Sequence, residues 1–176
     1  MRLLLLMTLF VELSLGHAFA QDPFGDVTNE PRPSEFIQWD ANAFNEFRGT
    51  LESQLRDGPG IFGTPFAVLN ALPEGDHRRH TVQIIHRSGY TQPEIHETKW
   101  DIYVILDGSG TALLGGRRIN WVEGLPNEEQ RPELTGAQSF SFSPGDILHV
   151  PARSWHQVQV PDGASVTYAL VNIFED

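Results

Sequence analysis

From Ile61 onward the chain is a succession of short apolar and β-branched runs, and no other feature restricts its fold as much. The runs are Pro65 to Leu72, Thr81 to His86, Ile102 to Leu106, Thr111 to Leu114, Phe140 to Phe142, Ile147 to Val150, His156 to Val160 and Ser165 to Phe174. Turn formers separate them, as in Asp107-Gly108-Ser109-Gly110, Gly115-Gly116 and Pro161-Asp162-Gly163. Short strands with regular turn signals predict an all-β sandwich or barrel. The polar stretch Asn120 to Gln138, with Pro126 and Pro132, interrupts the series and reads as a solvated loop, with a lid as the alternative. No internal repeat is visible.

Ahead of the β-rich part lies one helical segment, about Asp40 to Arg56. Phe44, Phe47, Leu51 and Leu55 recur at spacings of three and four and make one apolar stripe. Asp40 is placed to cap it, and Asp57-Gly58-Pro59-Gly60 stops it. A single amphipathic helix cannot bury its stripe alone. It should lie against the outside of the barrel or against another subunit. Pro23, Pro31 and Pro33 forbid a helix in residues 21–39, which read as an extended arm.

Met1-Arg2 and the apolar run Leu3 to Val11, closed by Ala18-Phe19-Ala20, have the form of a cleaved signal peptide over residues 1–20. The run is too short to span a bilayer comfortably. The expected division is therefore a signal peptide (1–20), an arm and helix (21–59) and a β-barrel domain (60–176), in a secreted or periplasmic protein with no membrane attachment after cleavage. The formal net charge is −11, and residues 1–20 contribute one Arg and one Glu to it, so their removal leaves it unchanged. Nucleic acid and anionic membrane surfaces, which require Lys and Arg, are poor partners for such a chain. The chain has no cysteine, so the fold has no disulfide and a metal site would be built from His and carboxylates.

Candidate ligands stand at strand beginnings. In an extended segment Glu94 and His96 face one side, with Ile95 and Glu97 on the other. Asp101 shares a face with Tyr103 and Ile105, which turns a carboxylate into an apolar interior, a costly placement unless a cation stands beside it. His156 shares a face with Val158 and Val160. A lone core histidine is structural as a rule, since one hydrogen-bond partner satisfies it. Two imidazoles and two carboxylates at strand starts nevertheless match a divalent metal.

These stretches resemble the two sequence motifs of the cupin superfamily. The first motif runs Gly, five residues, His-x-His, three or four residues, Glu, six residues, Gly; here His96, Asp101 and Gly108 keep the spacing of its end. Its start departs, with Glu94 where the first His is expected and Gly89 one residue too close. The second motif runs Gly, five residues, Pro-x-Gly, two residues, His, matched by Gly145, Pro151 and His156 with Arg153 in place of the second Gly. The resemblance covers roughly residues 60 to 175. It implies a double-stranded β-helix, or jelly-roll barrel of the RmlC-like kind. It also turns the reading of His156 from structural to ligand.

The ligand set this implies is Glu94, His96, Asp101 and His156 around one divalent transition metal, Fe, Mn, Ni or Zn. Glu97 is the alternative to Glu94, and whichever of the two is not a ligand is available as a general base. His149 and His86 are weaker candidates, for an outer layer around the metal and for the pocket mouth; His77 and His80 read as a solvated turn. Tyr103, Gln83 and Trp155 are candidate ligand contacts. Trp100, Ile102, Val104 and Leu106 make the outer face of their strand apolar, and a helix or the second copy of a homodimer would cover it. The resemblance implies a small-molecule metalloenzyme of oxygenase, isomerase or lyase type, or else a non-catalytic ligand-binding or structural module. Catalytic residues are not legible.

Overall fold

The computed structural model describes residues 37–72 and 79–175. Residues 1–20, the arm as far as residue 36, and His77 lie outside them. Helix α1 spans Ala41–Asp57, and Asp40 caps it by accepting the Ala43 N–H at 2.9 Å. Ten strands follow: β1 (Phe66–Asn70), β2 (His80–Arg87), β3 (Lys99–Gly108), β4 (Gly110–Leu114) and β5 (Arg117–Ile119), then β6 (Glu133–Thr135), β7 (Gln138–Phe142), β8 (Ile147–Val150), β9 (His156–Gln159) and β10 (Val166–Phe174). All of their pairings are antiparallel.

The strands form a five-stranded sheet of order β1-β2-β10-β3-β8, a three-stranded sheet of order β7-β4-β9 and a separate β5-β6 ribbon. The two larger sheets share one core: Phe66, Ile85, Tyr103, Ile105, Val150 and Tyr168 from the first meet Ala112, Phe142 and Val158 from the second. Strand parity explains the assignment of faces. Along β3, Asp101, Tyr103 and Ile105 are buried while Trp100, Ile102, Val104 and Leu106 are half-buried on the outer side.

Part of that outer side is covered by α1. Leu51, fully buried, packs with Ala67 and Ile84, and Phe44, Phe47, Leu55, Leu106 and Ala169 close around them. Arg48 donates to Asp107 at 2.9 Å, tying the helix to the end of β3. Of the two covers expected for the stripe, the sheet is the one observed.

The expected loop Asn120 to Gln138 contains more structure than its polarity suggests. It holds a 3-10 turn (Asn127–Glu129) and β6, and Gln138 already begins β7. Gln130, fully buried, accepts the Val122 N–H at 3.0 Å and donates to the Val122 and Leu125 carbonyls at 2.5 and 3.0 Å. From the barrel side, Tyr90 donates to the Pro132 carbonyl and Gln92 to that of Asn127, at 2.7 and 2.6 Å. The segment is a folded appendage of the barrel. β5 and β6 escape sequence reading because three-residue strands of mixed polarity have no periodicity to detect.

Because the helix stripe closes on Leu51, Leu51→Ala should lower stability by about 2–4 kcal/mol, measured as a lower urea midpoint at unchanged slope.

Candidate metal centre

The two segments singled out by the sequence lie side by side. Glu94 and His156 exchange both backbone hydrogen bonds, at 2.8 and 2.9 Å, as an isolated antiparallel bridge. The Thr91 hydroxyl donates to the Val158 carbonyl at 2.7 Å, Gln157 donates to the Thr91 carbonyl at 2.6 Å, and the Arg153 N–H to the His96 carbonyl at 2.7 Å. β3 supplies Asp101 opposite Val150 of β8 and Asn172 of β10. At Gly108 and Gly145 the backbone is left-handed (φ 75° and 93°), which is why glycine stands there.

This lacing converges four side chains. Ligand atoms of Glu94, His96 and His156 lie within 4.8 Å of one another. Asp101 Oδ2 is 3.3 Å from His96 Nε2 and 3.4 Å from His156 Nε2, and Glu94 Oε2 is 3.7 Å from His96 Nε2. Asp101 and His156 are buried, whereas the side chains of His96 and Glu94 keep 24% and 28% of their exposure, so the cluster opens on their side. Glu97 is exposed and belongs to the other face, as alternation predicts.

Each carboxylate has a second partner. Asp101 Oδ1 accepts from Asn172 Nδ2 at 2.7 Å and lies 3.7 Å from Lys99 Nζ. Glu94 Oε1 accepts from Arg87 Nη2 at 2.9 Å; Arg87 Nε donates to the Tyr168 hydroxyl at 2.7 Å, and its guanidinium sits 3.8 Å above the Phe66 ring. Burial pushes the Asp101 carboxyl up, but with protons on the facing nitrogens of His156 and His96 these two contacts, together with Lys99, outweigh burial and hold it well below the usual carboxylate range. Glu94 is likewise held low, because Arg87 with His156 and His96 outweighs burial. Burial drives the Tyr103 and Tyr168 hydroxyls well above the ordinary phenol range, so both are neutral.

No protein-family model and no curated protein matches the chain. Among solved structures, it is similar to a predicted oxalate decarboxylase from Thermotoga maritima, with 14% identity, 62% of this chain and 80% of that chain covered and a TM-score of 0.46. It is also similar to a Cupin 2 conserved barrel domain protein from Salinispora arenicola (13% identity, 61% and 75% covered, TM-score 0.43). A third is the polyketide cyclase RemF from Streptomyces resistomycificus (16%, 62% and 65%, TM-score 0.44). These likenesses are faint. The chain's own topology is firmer ground: two antiparallel sheets around one core, with both motif segments joined across the Glu94–His156 bridge. The fold is an all-β barrel of jelly-roll form.

Within this barrel the donor atoms themselves test the fit of a metal. His156 Nδ1 lies 3.0 Å from the Ser154 carbonyl, which can only accept, so Nδ1 carries the proton and a neutral ring turns the bare Nε2 lone pair towards Asp101. An acceptor lone pair facing a carboxylate is repulsive. His96 Nε2 and His156 Nε2 are both buried without a hydrogen-bond partner, although both point at the same Asp101 oxygen. A proton on Nε2, or one divalent ion, relieves the repulsion at His156, and the same ion would give the orphaned Nε2 of His96 a partner. Two imidazoles and two carboxylates fit such an ion.

The remaining sequence candidates lie elsewhere. His86 is buried on the helix side of β2, 2.8 Å from the Thr167 hydroxyl and away from the metal cluster; it does not line a pocket mouth there, because parity places it with Ile84 beneath α1. His149 stacks on Trp100 (centroids 5.1 Å apart) on the outer face, and His80 is exposed. Gln83 bonds to Asn70, and Trp155 lies 5.0 Å from the Arg118 guanidinium. Tyr103 does approach the cluster, edge-on to His156 at 6.5 Å. Inward of His156, a cavity of about 10 Å³ lined by Tyr103, Leu148 and Val158 has room for about one water. Asn172, Lys99 and Arg87 are the functional neighbours that sequence reading missed. Arg87 had a signal, since it shares parity with buried Ile85.

Arg153, which replaces a motif glycine, adopts φ 60° and is pinned by its bonds to His96, Glu97 and Glu175. Replacing it by Gly or by Ala removes the same side chain. The Gly variant should be the more stable of the two by about 1 kcal/mol, measured by thermal or urea unfolding.

Proposed function

We propose that this chain is an exported member of the cupin superfamily that binds one divalent transition metal, Fe, Mn, Ni or Zn, through Glu94, His96, Asp101 and His156. The observation that carries this reading is the pair of orphaned imidazole nitrogens converging on one Asp101 oxygen. Asn172 and Lys99 orient and partly neutralise Asp101, and Ser154 fixes the proton of His156 on Nδ1, so both residues are presented in the protonation state that a metal requires.

Glu94 and His96 form the open side of the cluster, and a small molecule would reach the metal there, because the cavity inward of His156 is nearly filled. A metal held in this way supplies Lewis-acid chemistry to a bound oxygen-containing ligand. The activity we propose is that of a small-molecule metalloenzyme of oxygenase, isomerase or lyase type. The filled interior favours one second reading, a cupin that binds a small ligand at the rim without converting it. Turnover of a bound ligand separates the two.

Elemental analysis of the purified full chain tests the metal. About one transition metal per chain is expected, with at least about a tenfold loss in both His96→Ala and His156→Ala. Equal metal content in all three proteins would reject the site. Metal affinity should also fall as the pH is lowered, because imidazole and carboxylate ligands must be deprotonated to bind; a titration repeated across the acid range measures it.

A further inference from the structure

Arg87 ends β2 with its guanidinium wholly inside the barrel, at 2% exposure. A buried cation is tolerated only where its charge and its N–H groups are met. Here Phe66 lies under its plane, Tyr168 takes Nε and Glu94 takes Nη2, while Nη1 is buried without a hydrogen-bond partner. The first two come from β1 and β10 and fix where the guanidinium stands; the third is the residue it acts on. Glu94 belongs to no strand of its own. Its backbone is held by the bridge to His156, and its carboxylate is held at one oxygen only.

That arrangement divides the carboxylate in two. Oε1 faces Arg87 at 2.9 Å, while Oε2 faces the imidazole cluster at 3.7 Å from His96 Nε2. Without Arg87, no side-chain hydrogen bond would fix the orientation of this carboxylate. With Arg87, the Glu94–Arg87 pair carries no net charge, so Glu94 contributes an oxygen donor without adding to the negative charge at Asp101.

We propose that Arg87 is the positioning residue of this centre, clamping Glu94 Oε1 so that Oε2 is held turned to the metal. The proposal rests on the metal reading above and adds to it a residue that touches no metal.

The test is a double-mutant cycle on the metal-depleted full chain, titrated with Mn(II) and, in parallel, with Zn(II) by calorimetry. Arg87→Met should weaken metal binding by about 10- to 100-fold, and Arg87→Lys, which keeps the charge but not the fork, by less. In a Glu94→Gln background, Arg87→Met should change the affinity by less than about twofold, because the group it acts through is gone. Should Arg87→Met fail to fold, Tyr168→Phe frees Nε instead. It should weaken metal binding in the native background and leave it unchanged beside Glu94→Gln. An equal loss in both backgrounds, for either substitution, would mean that the residue only supports the barrel, and would overturn the proposal. So would a native-background variant that binds as tightly as the unaltered chain. If the unaltered chain takes up neither ion, the metal reading falls, and this proposal with it; uptake by the unaltered chain with an uncoupled cycle sinks the Arg87 role alone.

Discussion

The seam between the segments 91–96 and 153–158 is the constraint on which the centre depends. It is made by backbone atoms of Glu94 and His156, flanked by Thr91 on one side and by Arg153 with His96 on the other. Because the ladder is built from main-chain groups, the separation of Glu94 and His156 is set before any side chain chooses a rotamer. β3 is locked independently by β8 and β10, and it delivers Asp101 to the same place. The neighbouring stretches around Glu94 and Asp101 are thus brought to one point with the distant segment around His156 by ordinary antiparallel pairing.

The electrostatics follow from that placement. Two carboxylates held close together in a largely buried setting would raise each other's pKa. The barrel meets each with its own cation: Arg87, fully enclosed, for Glu94, and Lys99, partly exposed, for Asp101. The anions can then remain ionised. What the protein leaves unmatched is the pair of imidazole Nε2 atoms, and imidazole nitrogen has affinity for a borderline cation.

Much of this was legible in the sequence because alternation along a strand is a local property. Asp101, Tyr103 and Ile105 share the buried face that their spacing predicts, Glu94 rather than Glu97 turns to the cluster, and the helix stripe is buried around Leu51. Illegible were the features that only pairing decides. β5 and β6 are too short and too polar to announce themselves, and His86 was assigned to a pocket mouth although its neighbours place it under the helix. Asn172 acts on Asp101, 71 positions away across the β3–β10 ladder, and Arg87 on Glu94, seven positions on but outside its own strand. A reading confined to local spacing does not register such partners.

The appendage between β5 and β6 has a consequence of another kind. The barrel grips it through the carbonyl oxygens of Asn127 and Pro132, and Gln130 organises it through the main chain of Val122 and Leu125. Carbonyl groups are common to every residue. Those moorings are therefore indifferent to the side chain of Val122, which projects into solvent, whereas Trp121 lies 4.2 Å from the Arg118 guanidinium and Arg131 is 5.6 Å from the Tyr90 ring. This makes Val122 a point on the surface whose outer character can be rewritten by substitution while the mooring of the appendage to the barrel stays the same.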